Sequence, residues 1–259
     1  MWSWIEDHRR RKILETPFPS GWEGHLQRNV VHYLRLAEPD RQHLRDLLQV
    51  FVAEKRWEGC GGLVMTDEIR VTIAAQACLL VLALPHDLYR GVESILVYPT
   101  TVILPERQYG TFEVPRAPDP GRTAILGEAQ RRGPVILVWD SVLSMAKHPE
   151  RGHNVVFHEF AHKLDLLDGF ANGTPPLEGA EQYRQWVAVC SKEFLRLREM
   201  AAAGEPTSLD PYGATNEAEF FAAITEQFFE RSVSLRRQHP ALYDVFRSFY
   251  RQDPAEAAH

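Results

Sequence analysis

The run His158-Glu159-Phe160-Ala161-His162 constrains this chain more than any other five residues in it. Two imidazoles four positions apart face the same way when the backbone between them is an α-helix. A helix that offers both to one acceptor must also be held rigidly by its surroundings. The neighbouring residues supply the means. Val155, Val156, Phe157, Phe160, Ala161 and Leu164 are uncharged, so the segment is expected to be a buried helix. Lys163 is the single interruption, and its long stem is expected to carry the ammonium out to solvent. Gly169 stands where it can close the far end. Paired histidines on one helical face are metal ligands in waiting, and a glutamate directly after the first can take a proton from water beside the metal. The motif therefore points to His158 and His162 as ligands of a Zn2+ ion and to Glu159 as the general base. Five residues can also match by chance, so the rest of the chain must supply the remaining ligand.

With 259 residues, 44% of them hydrophobic and 25% charged, the chain has the balance of an ordinary globular protein and length enough for a large core. A single domain over residues 1–259 is expected, with 1–40 as an N-terminal extension and 252–259 as a flexible tail. A net charge of −6 lacks the basic excess that direct nucleic-acid binding requires. Cys60, Cys78 and Cys190 are few and far apart, which suits small buried hydrophobes in a reducing compartment. The N-terminus is charged and lacks the apolar stretch of a secretory signal. The most apolar run, Ala77 to Leu84, stops at Pro85, too short to cross a membrane. These features together lead to the expectation of a soluble, cytoplasmic protein.

Periodicity places a helix over Arg41 to Lys55 and a glycine-rich loop over Trp57 to Gly62. A buried helix is expected from Asp67 to Ala83, capped by Thr66 or Asp67. The β-branched and aromatic stretch Ser94 to Leu104 reads as a strand and its continuation across Pro99, and Phe112 to Pro120 as a connection. Val135 to Trp139 is a further short strand, whose open edge could pair with a substrate backbone. Helices follow over Val142 to Lys147, Gly152 to Leu167, Gly179 to Ala203, Glu217 to Arg231 and Pro240 to Arg251. Helices, then a few strands, then helices again make an α+β chain that is predominantly helical with a small β-sheet.

Three places could provide the remaining ligand. Asp168, six residues after His162, lacks the glycine that would turn the chain back towards the metal, since Asp165 occupies that position. Asp165 lies on the histidine face, where it could either orient an imidazole or face solvent at the helix end. The third place is the apolar helix from Glu217. Glu219 sits there amid Phe220, Phe221, Ala222, Ala223 and Ile224, where a carboxylate needs a partner. Spacing favours Glu219 over Glu226. His153, five residues before His158, falls off its helical face and reads as a loop histidine.

The stretch Asn154 to Asp165 closely resembles the Mlc titration factor A family of bacterial zinc metallopeptidases. So do Ala53-Glu54-Lys55-Arg56-Trp57-Glu58-Gly59 and the run from Thr66 to Cys78. The resemblance spans about residues 45 to 250. A more distant likeness, through Asn216-Glu217-Ala218-Glu219-Phe220-Phe221-Ala222, is to the catalytic domain of anthrax lethal factor. The resemblance implies a zincin-like fold of gluzincin type with Glu219 as the glutamate ligand. It also implies a tyrosine, Tyr212, that donates a hydrogen bond to the oxyanion. It further implies aminopeptidase-like activity on a peptide or protein substrate, a cytoplasmic location and, as a partner, a Mlc-like DNA-binding repressor. Two rivals use the same residues: a non-catalytic zinc protein that sequesters a transcription factor, and a hydrolase of non-peptide amides.

Overall fold

A computed structural model describes residues 2–85, 88–100 and 133–256. Four helices come first: α1 (Trp2–Leu14), α2 (Ser20–Asn29), α3 (Val31–Arg35) and α4 (Glu38–Glu54). Strand β1 (Arg56–Gly59) and helix α5 (Asp67–Leu80) lead to β2 (Ser94–Tyr98) and β3 (Val135–Val138). The remaining helices are α6 (Trp139–Lys147), α7 (Val155–Asp165), α8 (Gly179–Ala203), α9 (Glu217–Glu230), α10 (Ser232–Gln238) and α11 (Pro240–Tyr250). The fold is thus α+β and mostly helical. The strands form one parallel sheet in the order β1-β2-β3, with Trp57 opposite Ile95 and Ile95 opposite Val135. Among the described residues β3 borders this sheet.

Most elements lie where periodicity puts them, and the departures have local causes. β1 occupies part of the expected loop. Only Trp57 among its residues favours a strand; the pairing makes it, with Arg56 N–H donating to the Glu93 carbonyl at 3.0 Å and Cys60 N–H to that of Val97 at 2.8 Å. Helix α7 begins at Val155 and not at Gly152, because Gly152 turns left-handed at φ 78° and Asn154 then caps the helix. Thr66 caps α5 by accepting the Ile69 N–H. The strand continuation beyond Thr100 and the connection from Phe112 to Pro120 lie outside the described residues.

The core is organised around α7 and α9. Phe157 packs on Phe229 with ring centroids 5.3 Å apart, and Phe160 meets Tyr89 at 4.9 Å and Phe51 at 5.8 Å. Each such fully buried ring is worth about 1.5–3 kcal/mol of transfer free energy. These contacts grip the side of α7 that carries no histidine. Helix α9 is buried along nearly its whole length, and its Phe228 stacks on Tyr250 of α11. Leu26 of α2, Tyr33 of α3 and Val30 between the two helices sink into the same core. The chain also docks beyond residue 252, where a tail was expected: Ala255 is fully buried and its N–H donates to the Tyr243 hydroxyl. Among the described residues no helix is long and apolar enough to cross a membrane.

Candidate metal centre

Helix α7 is fixed from its first turn. Asn154 Oδ1 accepts the N–H groups of Val156 and Phe157, both at 3.1 Å, satisfying two of the donors that a helix start leaves free. Its Nδ2 donates to Gln76 Oε1 at 2.8 Å and Glu230 Oε1 at 2.7 Å, so the fully buried cap is tied to α5 and α9 at once. With the aromatic side gripped by the core, His158 and His162 project from the opposite side.

Glu219 arrives from the first turn of α9. Asn216 caps that helix by accepting the Glu219 N–H at 2.9 Å. An N-cap asparagine followed three residues later by glutamate is the spacing of a capping box. Here the carboxylate turns to the imidazoles: Oε2 lies 3.1 Å from His158 Nε2 and 3.5 Å from His162 Nε2, and the two nitrogens are 3.2 Å apart. Ligands about 2.0–2.1 Å from a tetrahedral metal are separated by roughly 3.3 Å, so this donor set fits a single ion in both chemistry and spacing. Among the described residues it is the one group of histidine, cysteine and carboxylate donors so arranged.

Glu159 is buried, and its Oε2 has no hydrogen-bond partner among the described residues. Tyr212 stands on a short 3-10 turn, Pro211–Ala214, whose start is capped by Asp210 accepting the Tyr212 N–H at 2.9 Å. Its ring lies 6.0 Å from that of His158 and is half exposed. The structure therefore gathers His158, Glu159, His162, Glu219 and Tyr212 in one place. It sends Asp168 elsewhere, to accept the Phe170 N–H at 2.8 Å.

Two side chains differ from their sequence expectations. Lys163 does not run to solvent; it is buried, its ammonium donating to the Gly133 carbonyl at 3.0 Å, and the nearby Glu159 charge partly offsets the cost of its burial. Asp165 neither faces solvent nor orients an imidazole. Its two oxygens accept the N–H groups of Gly173 and Thr174 at 3.0 and 2.9 Å and hold that loop under the start of α9. Gly173 is required there: its φ is 71°, and an added Cβ would lie 2.3 Å from the Glu217 carbonyl oxygen. Glu226 lies behind His158, with Oε1 2.8 Å from Nδ1.

These contacts set the charges. Burial depresses the His158 pKa, but hydrogen bonds to Glu219 and Glu226 outweigh it and lift the value from 6.5 to about 10. For Glu219 burial acts upwards, yet the hydrogen bonds from His158 and His162 hold it well below the usual carboxylate range. Burial, reinforced by the negative charges of Glu219 and Glu226, pushes Glu159 well above its ordinary value. Burial and then the charge of Glu219 raise Tyr212.

Comparison with known proteins agrees with this geometry. Residues 4–251 match the family described as glucose-regulated metallo-peptidase M90. The chain belongs to that family. This M90 chain is 38% identical over 252 residues to an uncharacterized protein of Synechocystis sp., covering 97% of the chain and 90% of the relative. It is 29% identical over 260 residues to proteins named Mlc titration factor A from Yersinia pestis and Yersinia pseudotuberculosis, covering 98% of the chain and 90% of each relative. Membership of M90 makes the chain a metallopeptidase by family and implies a metal cofactor. The supporting contacts made by Glu226 and Asn154 were not evident in sequence. The cap signal of Asn154 was present, but nothing local links it to a carboxylate 72 residues away.

Proposed function

We propose that this chain is a zinc-dependent peptidase of gluzincin type, cytoplasmic and aminopeptidase-like, with His158, His162 and Glu219 as metal ligands. The observation that carries the reading is the convergence of two Nε2 atoms and one carboxylate oxygen beside a buried glutamate on the same helix. A zinc ion bound there supplies a Lewis acid that acidifies water and polarises a peptide carbonyl. The remaining work falls to the chain's own groups. Glu159 takes the proton of the attacking water and passes it to the leaving amine; its buried carboxylate, with one oxygen free of partners among the described residues, is available for both halves of that transfer. Tyr212, held by its capped turn, donates its hydroxyl proton in a hydrogen bond to the oxyanion that forms at the carbonyl. The border strand β3 offers backbone groups for pairing with an extended substrate. A peptide-bound structure with that edge left open would remove this last element.

The test is Glu159→Gln. Hydrolysis of peptide or aminoacyl substrates should fall by about 10²–10⁴-fold while bound zinc, measured by elemental analysis, stays stoichiometric. Equal activity in the variant would overturn the assignment of Glu159.

A second reading is favoured by the name shared by the Yersinia relatives, Mlc titration factor A: a regulatory role through binding a Mlc-type repressor. The same variant separates the two, because binding of a repressor should survive the loss of Glu159.

A further inference from the structure

We infer that Glu226 is the positioning residue of the centre, a single carboxylate that sets the direction and protonated nitrogen of His158 and locks that ring to the start of α7. The inference rests on the reading of His158 as a metal ligand. Glu226 Oε1 lies 2.8 Å from His158 Nδ1, and Oε2 accepts the backbone N–H of Asn154 at 2.6 Å. An ionised carboxylate only accepts, so Nδ1 carries the proton in this contact. When the ring is neutral, as a metal ligand must be, the lone pair is left to Nε2, the atom that faces Glu219 and His162. An imidazole whose rear N–H is held in this way is fixed in tautomer and rotation and is a more basic ligand.

The second contact makes Glu226 more than a ring partner. Asn154 is the residue whose side chain caps α7. One oxygen of Glu226 thus fixes the side chain of the first histidine, and the other fixes the backbone from which that histidine's helix starts. Glu226 also stands on α9, seven residues beyond Glu219, so one helix meets His158 from the front with one carboxylate and from behind with another. A shift of α9 along α7 would disturb both contacts together. His162 has no equivalent among the described residues: Asp165, the acid that follows it on α7, commits both oxygens to Gly173 and Thr174. The centre therefore has one anchored imidazole, His158, and one that follows it.

The decisive variant is Glu226→Gln. A glutamine keeps the shape and can still accept from Asn154, but its amide donates to Nδ1. That reverses the ring, leaving the proton on Nε2, where no metal can bind. Zinc affinity, read by competition with a chromophoric chelator, should fall 10–100-fold, with the far-UV circular dichroism of the metal-free protein unchanged. In proton NMR the wild-type His158 Nδ1–H should appear as a downfield, slowly exchanging signal with or without zinc, and should vanish in Glu226→Gln. Glu226→Asp should recover part of the affinity. Unaltered affinity in the glutamine variant, or a persistent Nδ1–H signal, would overturn the inference and leave the peptidase reading intact. Wild-type protein that binds no zinc, yet loses the signal in Glu226→Gln, would sink the peptidase reading and keep the hold of Glu226 on His158.

Discussion

At the scale of single residues, Tyr212 is the group whose role is most open to measurement. Its turn is pinned from outside the centre: Asp210 caps it, and the Thr215 hydroxyl donates to the Tyr212 carbonyl at 2.7 Å. Removing the hydroxyl should leave this backbone in place. Tyr212→Phe is therefore expected to lower kcat by about 10²-fold with little change in KM, since an oxyanion donor acts on the transition state more than on the bound substrate. Steady-state kinetics on one peptide substrate checks it; an effect confined to KM would assign the phenol to substrate binding. Sequence spacing alone marks Tyr212 as nothing more than a loop aromatic after a proline, because a side chain's position relative to another element is not encoded locally. His158, Glu159 and His162 were legible for the opposite reason. Their geometry is the geometry of one helix turn, and an apolar sequence suffices to announce that helix.

At the scale of elements, the start of α9 is held in position by a loop that carries no catalytic group. Asp165 binds the N–H groups of Gly173 and Thr174, Trp186 Nε1 donates to the Gly173 carbonyl at 3.1 Å, and the Gly173 Cα lies against the carbonyl of Glu217. Gly173→Ala meets both a left-handed backbone and a backbone neighbour that cannot give way. It should destabilise the protein by ~2 kcal/mol or more, seen as a lowered urea midpoint with an unchanged m-value. Because this loop abuts the turn that carries Glu219, the same variant should also weaken metal binding. A variant as stable as the wild type would show that the loop relaxes freely. The contrast with β1 is instructive. Both the loop and the strand get their conformation from a partner distant in sequence, Asp165 with α9 in one case and β2 in the other, so neither pattern is written in its own residues. Helices α4, α7, α8 and α11 were readable because burial of one side repeats at the helical period, α5 and α9 because their apolar runs are too long for a strand.

Across the whole molecule, the metal and the proton compete for the same pair. Without metal, His158 has its pKa raised to about 10 by Glu219 and Glu226. A raised folded-state value adds stability that is complete below the ordinary 6.5 and is lost as pH climbs through about 10. The raised Glu159 acts in the same direction, since ionising a buried carboxyl costs stability as pH rises. Chelator-treated protein should therefore melt at progressively lower temperature between pH 7 and pH 10. Metal-loaded protein should escape most of that decline and should take up zinc more tightly as pH rises. Calorimetry in buffers of different ionisation enthalpy should register proton release on zinc binding at pH 7. A flat melting profile for the metal-free protein over that range would show that the His158 proton is not held by its carboxylate neighbours.

The distance in sequence between the ligands has a consequence for how the protein is made. His158 meets Glu219 across 61 residues, and the cap of α7 is completed by Glu230, later still. A growing chain that has just exposed its histidines on the ribosome has neither the carboxylate that completes the donor set nor the helix that holds the first imidazole. If the centre cuts peptides, it is inert throughout that interval. The order of the residues in the gene thus keeps the nascent chain, and its neighbours on the same message, out of reach of an unfinished protease.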